Sequence, residues 1–289
     1  MINLKQLHIF AVVAKTGELT AAGEVLNMTT SAVSINLKML EQRLDTHLIQ
    51  RARGRKSRSQ RVTLTESGKW LLDRAETMLS LSTGTERYFA QLKHSRPQSL
   101  CIGASQTVGN YWLPGYLSEL KQHFPKLTLN IHISNTEDIL SRVQTFQDDI
   151  GLVEGPNTLS ELHSRCFKKD SMTLITAPGE HTTNLSTLPW LIREAGSATR
   201  QLTEKLWQEL KIRPDNIVQM NTNESIIHAV AMGAGVAYVP RIATSLMLEA
   251  NLLHELTVEC TSVRSLYWVT HRDTTKALQW VNEALNLPL

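Results

Sequence analysis

Apolar residues in the first 45 positions recur at the spacing of short amphipathic helices. Three helices are predicted, the first ending at Gly17 and the second at Asn27, because both residue types tolerate the left-handed backbone that stops a helix. Two short helices joined by a tight turn, with small residues where they cross, predict a helix-turn-helix. The predicted inward-facing residues are Leu4, Leu7, Phe10 and Val13 in the first helix, Ala22, Val25 and Leu26 in the second, and Val33, Leu37, Leu40 and Leu44 in the third.

The third predicted helix carries a polar face opposite its apolar stripe. Ser31, Ser34, Ile35 and Lys38 lie on this face, which combines hydroxyl groups, an alkyl group and a cation. A DNA major groove is read by such a mixture, with hydrogen bonds to base edges, alkyl contact with a thymine methyl group and positive charge near phosphate. The alternative is an ordinary solvated face, on which an exposed isoleucine beside serines is unusual.

Residues 51–61, "RARGRKSRSQR", hold six Lys or Arg and no acid. The β-branched "VTLTESG" follows, so the region is predicted to be a winged hairpin with a basic tip and a returning strand. Basic residues at such a tip reach backbone phosphates and supply affinity rather than sequence choice, because each phosphate contact releases counterions. A solvated loop is the alternative. The predicted DNA-binding residues are Thr30, Ser31, Ser34, Ile35, Lys38, Arg51, Arg53, Arg55, Lys56, Arg58 and Arg61.

Residues 67–93 contain no proline, and apolar residues recur there at heptad spacing. Five of the seven predicted a and d positions are apolar, which is typical of a helix that pairs with a copy of itself. A helix packed on its own domain would show the same pattern. The sequence "HSRPQS" at 94–99 then predicts a domain boundary. The seven positions are Leu71, Arg74, Met78, Leu81, Thr85, Tyr88 and Leu92.

Short apolar runs alternate with helical patterns from Leu100 onward, which predicts an α/β fold with mostly parallel sheets. Ligands of such folds bind beyond the carboxyl ends of strands, where helices begin. Two strand ends, in "IGASQTVGN" and "REAGSATRQL", carry hydroxyl groups at such places. Free N–H groups at a helix start favour an anion there, although the same hydroxyls also suit helix capping alone.

A carboxylate near this predicted anion site is expected either to pair with one of two nearby arginines or to accept a proton from a protonated oxyanion. The carboxylate is that of Glu154, and the arginines are Arg193 and Arg200. The full set of predicted effector-binding residues is Ser105, Thr107, Glu154, Arg193, Ser197, Thr199 and Arg200.

The segment "LTAAGEVLNMTTSAVSINLKMLEQRLDTHLIQR" (19–51), closed by "LTESG" (64–68), resembles the winged helix-turn-helix of LysR-type transcriptional regulators. It departs from the family pattern at Gly23, Thr30, Asp45 and Ile49, where alanine, glutamine, glycine and phenylalanine are more usual. The rest of the chain resembles the family's effector domain through "IGASQTVGNYWLP" (102–114), "DIGLVEGP" (149–156) and "NESIIHAVAMGAGVAYVP" (223–240). The "EGP" and "REAGSATR" segments resemble the branch of the family that responds to sulfur or other small oxyanions.

The resemblance implies a multidomain protein with an N-terminal all-α winged helix-turn-helix, a long linker helix and a C-terminal α/β effector domain. The implied ranges are 1–65 for DNA binding, 66–95 for a dimerising linker helix and 96–289 for effector binding. The effector domain would resemble a periplasmic binding protein, with subdomain one at about 98–162 and 266–289 and subdomain two at about 163–265. A small effector is expected between the subdomains, and the resemblance to the sulfur-responsive branch implies an oxyanion. Double-stranded DNA, a second copy of the chain in a homodimer or homotetramer, and RNA polymerase are the implied macromolecular partners.

Charge and cysteine usage favour a regulator over the competing classes. The formal net charge is only +3, yet residues 1–65 hold ten Lys or Arg against four Asp or Glu, which suits a nucleic-acid partner. Cys101, Cys166 and Cys260 are scattered and match no metal-ligand spacing, so neither a metal nor a cofactor is expected. No enzyme motif, membrane-length apolar run or signal peptide is recognisable, which predicts a cytoplasmic, non-enzymatic protein. The alternatives are a periplasmic-type solute-binding protein and a nucleic-acid-associated enzyme without DNA sequence specificity.

Overall fold

In the computed structural model the chain forms two compact units, residues 1–86 and 87–289. The structure describes residues 2–51, 61–93, 99–155, 157, 159–179, 184–258, 263–274, 278, 280, 281 and 283.

The first unit is built from three short helices, a two-stranded hairpin and most of a long helix that continues past residue 86. These are α1 (Leu4–Thr16), α2 (Leu19–Leu26), α3 (Thr30–Leu44), β1 (Ile49–Arg51), β2 (Val62–Leu64) and α4 (Glu66–Lys93). The first two helices end as the sequence predicts, at Gly17 with φ 67° and at Asn27 with φ 52°. Asp45, which stands where the family more often has glycine, closes α3 with φ 49°. All three residues therefore take the left-handed conformation that terminates a helix.

The core of the first unit joins α1, α2 and α3 to the hairpin and the start of α4. Its fully buried side chains include Leu7, Phe10, Val33, Leu37 and Leu40, all of which the apolar spacing places inward. The predictions for Leu4 and Val25 are wrong, because these side chains are 44% and 64% exposed. The eight-residue α2 buries Leu19, Ala22 and Gly23 instead, and Val25 falls outside that narrow face.

Gly68 is required by a close backbone approach at the start of α4. A Cβ atom at this position would overlap the carbonyl oxygen of Leu48, where the chain enters β1. We therefore expect Gly68→Ala to lower the free energy of unfolding by about 2 kcal/mol or more, because the overlap is with a backbone atom rather than with the flexible end of a side chain. Chemical denaturation of the full chain measures this, with Gly115→Ala as control, since no atom of the described residues lies within 4 Å of a Cβ at that position. Equal stability of the two variants would contradict the steric argument.

The long helix α4 spans 28 residues, and its first turns pack on its own unit. Leu71 is 4% exposed in the core of the first unit, so the predicted heptad seam does not begin there. Farther along, Met78 and Leu81 are each 41% exposed, which leaves apolar surface on this helix uncovered. Neither α4 nor any other helix in the described part of the chain combines the length and the apolar character that a membrane span requires.

The second unit alternates strands and helices along most of its length. In chain order its elements are β3 (Ser99–Ser105), α5 (Gln106–Tyr111), α6 (Leu113–His123), β4 (Thr128–Ser134), α7 (Thr136–Gln144), β5 (Ile150–Glu154), β6 (Leu162–Thr176), β7 (Trp190–Arg193), α8 (Ala198–Glu209), β8 (Ile217–Met220), α9 (Asn223–Ala231), β9 (Ala237–Pro240), α10 (Arg241–Glu249), β10 (His254–Leu256) and β11 (Val263–His271).

The prediction of mostly parallel sheets is only partly correct. Strand β3 pairs in parallel with β4 and β5, and β7 pairs in parallel with β8. The long strands β6 and β11, however, pair antiparallel with each other, and their remaining partners β5, β9 and β10 are antiparallel too. The chain passes from one side of the second unit to the other along β6 and returns along β11. We call β6 and β11 the crossing strands, and they run in opposite directions because the chain returns along the second of them.

One helical pattern of the sequence, residues 108–124, forms two helices in the structure rather than one. The stretch 108–124 is divided at Trp112 into α5 and α6, and Pro114 occupies the first turn of α6. Proline lacks a backbone N–H and clashes with the preceding turn, so it starts a helix more readily than it continues one.

Separate cores lie on either side of the crossing strands. We call the part built from β3, β4, β5 and α5–α7 the first lobe, and the part built from β7–β10 and α8–α10 the second lobe. Leu100, Ile102 and Leu152 are buried in the first lobe, and Trp190 and Tyr238 in the second. Strand ends from both lobes therefore meet near the middle of the unit, which is where the predicted ligand residues lie.

Candidate functional site

The N-terminal half of α3 presents the predicted DNA-reading residues outward. Thr29 caps the helix by accepting a hydrogen bond from the Ala32 N–H at 3.2 Å. Thr30, Ser31 and Lys38 are exposed and Ser34 is half-buried. Ile35 is 59% exposed, so a large alkyl group faces solvent among hydroxyls and a cation.

Met39 extends this face and was missed by the sequence prediction. Its side chain is 47% exposed and follows Ile35 by one helical turn. The i, i+4 spacing from Ile35 is the signal that could have identified it, since residues four apart share a helix face. The outward surface of α3 thus carries two apolar side chains in line.

The hairpin after α3 is present where the sequence places the wing. Ile49 pairs with Leu64 and Arg51 with Val62 in an antiparallel register. Arg61 is exposed, and its backbone forms an isolated antiparallel β-bridge with that of Glu18. This pairing brings the returning strand beside the α1–α2 turn. The predicted contacts at Arg53, Arg55, Lys56 and Arg58 lie outside the described residues, as does the side chain of Arg51.

The predicted effector residues of the second unit are buried at strand and helix ends. Ser105 closes β3 and Thr107 lies in the first turn of α5, while Ser197 and Thr199 begin α8. All four are 3% exposed or less. Ser197 occupies the N-cap position but makes no side-chain capping hydrogen bond, so capping alone does not account for this serine.

Arg264 in β11 connects these helix ends and was not predicted from the sequence. Its side chain is 3% exposed and lies 3.5 Å from Glu154 Oε1 and 2.7 Å from Asp170 Oδ2. Its Nη1 also donates to Thr199 Oγ1 at 3.4 Å. One arginine on a crossing strand therefore contacts a carboxylate of the first lobe, a carboxylate of β6 and the start of α8. We call Ser105, Thr107, Glu154, Thr199 and Arg264 the cleft cluster.

Glu154 is ionised within the cleft cluster despite being almost fully buried. Burial by itself would raise the pKa of Glu154, but the Arg264 guanidinium and the hydroxyls of Ser105, Thr107 and Thr136 outweigh it and hold the pKa below its usual value. Thr136 Oγ1 donates to Glu154 Oε2 at 3.0 Å. Ser105 Oγ is buried and approaches without the geometry of a full hydrogen bond. Two of the four hydroxyls that the sequence assigns to a ligand, those of Ser105 and Thr107, thus lie beside a carboxylate of the protein.

The prediction that Glu154 pairs with Arg193 or Arg200 is wrong. Arg193 donates two hydrogen bonds of 2.8 Å to its neighbour Glu194, and Arg200 donates to Glu204 at 2.7 Å. Both arginines point toward groups of the second lobe because nearer acceptors exist there. Glu154, which the sequence analysis paired with one of them, pairs with Arg264 instead.

Asn223 links the two lobes beside the cleft cluster. It is fully buried, donates to Thr107 Oγ1 at 3.2 Å and accepts from Arg193 Nη1 at 3.1 Å. Gln106 reinforces the contact by donating to the Asn221 carbonyl at 2.6 Å. The start of α5 and the start of α9 are therefore hydrogen-bonded to each other.

A cavity of about 670 Å³ borders Glu154 on its open side. Thr136, Glu137, Gly155, Gly196 and Gln201 are among its walls. The described lining residues include two carboxylates, those of Glu137 and Glu154, and no basic side chain. Within the part of the chain that the structure describes, no group of three or more His, Cys, Asp or Glu is placed to hold a metal ion.

Two family models together match almost the whole chain. Residues 4–69 match the model described as bacterial regulatory helix-turn-helix protein, lysR family. Residues 93–286 match the LysR substrate binding domain.

Curated relatives and solved structures agree with these matches. The chain is 30% identical over 277 residues to the HTH-type transcriptional regulator YeiE of Escherichia coli K12, covering 93% of this chain and 91% of that protein. It is 31% identical over 257 residues to the HTH-type transcriptional regulator CysL of Bacillus subtilis, covering 86% of this chain and 82% of that one. Full-length OxyR from Pseudomonas aeruginosa has a similar fold, with a TM-score of 0.62, 19% identity and coverage of 99% and 95%.

Proposed function

Because the chain belongs to the LysR family of bacterial transcriptional regulators, we propose that its α3 face reads DNA and that its cleft cluster receives the effector. The protein is a DNA-binding transcriptional regulator with an effector-binding domain, and its family consists of regulators rather than enzymes. The residues that carry out each task, the class of effector and the assembly are proposals.

The proposed DNA contact combines α3 with the basic hairpin. Ser31, Ser34 and Ile35 enter the major groove, where hydroxyls contact base edges and the alkyl group contacts a thymine methyl group. Lys38 and the cations of residues 51–61 contact backbone phosphates on either side. The observation that supports this surface is the 59% exposure of Ile35 between polar groups on a capped helix.

The proposed effector is a small anion bound between the lobes. Three hydroxyl residues, an arginine and the N-terminus of the 12-residue α8 converge on the cleft cluster. Free N–H groups at a helix start and buried hydroxyls both stabilise negative charge. Effector binding there would change how the two lobes are held together, since Arg264 and Asn223 each contact both sides.

We also propose a homodimer or homotetramer assembled through α4. Met78 and Leu81 are half-exposed and lie one helical turn apart, which suits packing against the same helix of a second copy. A regulator of this kind works in the cytoplasm, beside the chromosome, and RNA polymerase is the partner that would read out its activity.

A thermal-shift screen of sulfate, sulfite, phosphate and small carboxylates on the full-length protein tests the effector class. We expect at least one anion to raise the melting temperature by a few degrees, because a ligand present at 100 times its Kd stabilises by about 2.7 kcal/mol. The same anion should change the protein's footprint on DNA upstream of its own gene. A panel in which only neutral or cationic metabolites stabilise the protein and change the footprint would refute the anion proposal.

A further inference from the structure

The cleft cluster already contains an anion, and that anion is part of the protein. The Glu154 carboxylate receives the Thr136 hydroxyl at 3.0 Å and lies 3.5 Å from the Arg264 guanidinium. It is 5% exposed and is surrounded by the same Ser105 and Thr107 hydroxyls that are proposed to bind the effector. A free anion entering this shell would meet a carboxylate that already holds the Thr136 hydroxyl and the Arg264 guanidinium.

We propose that Glu154 occupies the effector's anion position when no effector is bound, and that an anionic effector binds by displacing this carboxylate from Arg264. The inference rests on the proposed function, because it presumes that the cleft cluster is the effector site. In this inference Glu154 sets the affinity of the cleft cluster for anions by competing with them for Arg264. It does not form a hydrogen bond with the bound anion.

The charge balance around Arg264 explains why displacement is needed. Arg264 is one cation flanked by two carboxylates, Glu154 at 3.5 Å and Asp170 at 2.7 Å. A third anion at contact distance would be repelled by both and would gain no unpaired positive charge, and such repulsion is strong where water is excluded. Asp170 is held by two hydrogen bonds from Arg264, to its Oδ2, whereas Glu154 has the longer contact and is the one that can exchange.

The cavity beside Glu154 provides the space that displacement requires. Glu154 and Gly155 both line it, and no atom of the described residues would lie within 4 Å of a Cβ at Gly155. When the Glu154 side chain leaves Arg264, this cavity is the space into which it can turn. In the displaced state the freed hydroxyls and Arg264 would hold the effector.

Matched charge-removing variants of the full-length protein test this inference. Glu154→Gln removes the internal anion with little change in volume, and Asp170→Asn removes an equal charge from the other side of Arg264. With sulfate and phosphate as probes in calorimetry, we expect Glu154→Gln to bind at least one of them about tenfold or more tightly than the natural protein. Asp170→Asn should change the affinity by less than about threefold. Equal gains in both variants, or no gain in Glu154→Gln, would overturn the inference.

Chemical rescue provides a second and independent reading. Glu154→Ala leaves a vacancy of carboxylate size, so formate or acetate should raise its melting temperature in a saturable way and leave the natural protein unchanged. Failure of both acids to stabilise the alanine variant would also overturn the inference. These outcomes are separable from the proposed function, which fails if no anion changes the DNA footprint of the natural protein, whatever the variants bind.

Discussion

Replacing the four cations at positions 53, 55, 56 and 58 with glutamine is expected to weaken binding to all DNA sequences and to flatten its dependence on salt. Each phosphate contact contributes about 0.9 to the slope of log affinity against log salt concentration. Loss of most of these contacts should therefore make the slope shallower by about 3 per subunit and lower affinity on the order of a hundredfold at low ionic strength. The charges are concentrated at one place because a cation farther than about 10 Å from the duplex is screened.

Fluorescence anisotropy with a labelled promoter fragment over a range of salt concentrations measures both quantities. Neutralising four exposed cations of the second unit, at Lys126, Lys205, Lys211 and Arg213, is the control that makes the same change in net charge away from the hairpin. Ser34→Ala is the complementary control: it should alter which sequences are preferred and keep the natural salt slope. A hairpin variant with the full slope would show that residues 51–61 do not contact the backbone.

Replacing Arg264 with methionine is expected to destabilise the second unit by about 3–5 kcal/mol. Removing one member of a buried ion pair leaves charge without compensation, and here two carboxylates, Glu154 and Asp170, would lose their partner. Arg241→Met is the matched control, since Arg241 also pairs with a glutamate, Glu255, but is 53% exposed. An exposed pair of this kind contributes about 1 kcal/mol at most.

The pH dependence of the Arg264 variant has a definite sign. In the natural protein the pKa of Glu154 is held below its usual value, so its contribution to stability is present above the unfolded-state pKa and is lost as pH falls through the folded-state pKa. Without Arg264, burial dominates and the pKa of Glu154 rises. Mild acid then protonates the carboxylate and removes the free-energy cost of burying an unpaired negative charge. Urea denaturation between about pH 7 and 4.5 should show the stability gap between natural and variant proteins narrowing as pH falls. The role given to Arg264 would be contradicted if the stability difference between natural and variant proteins widened as pH falls. It would also be contradicted if Arg264→Met lost no more stability than Arg241→Met.

The alternation of buried and exposed residues along β11 could have identified Arg264 from the sequence. In β11, Arg264 and Leu266 alternate with more exposed neighbours, and both are buried. An arginine in the inward register of an otherwise apolar strand is a sign of a buried partner. The pattern is in the sequence, but the partner's identity is not, because Asp170 is 94 residues away in the chain.

The same limit applies to Glu154. Its position at the carboxyl end of a predicted strand was sufficient to place it near the ligand residues, since parallel strands end at one edge of a sheet. The prediction of its partner failed because Arg193 and Arg200 were chosen for their nearness in sequence to the predicted ligand residues Ser197 and Thr199. In the folded chain each has a closer acceptor, Glu194 and Glu204 respectively.

Periodicity, backbone preference and charge are properties of neighbouring residues, so the sequence was sufficient to predict the helices of the first unit, their ends at Gly17 and Asn27, and the concentration of positive charge after α3. The folded chain was needed to show that the Ser105 and Thr107 hydroxyls lie beside the Glu154 carboxylate and that Arg264 pairs with it. The energy of an ion pair depends on the distance and burial of two groups, and for residues far apart in the chain these are set only when the strands that carry them pack together.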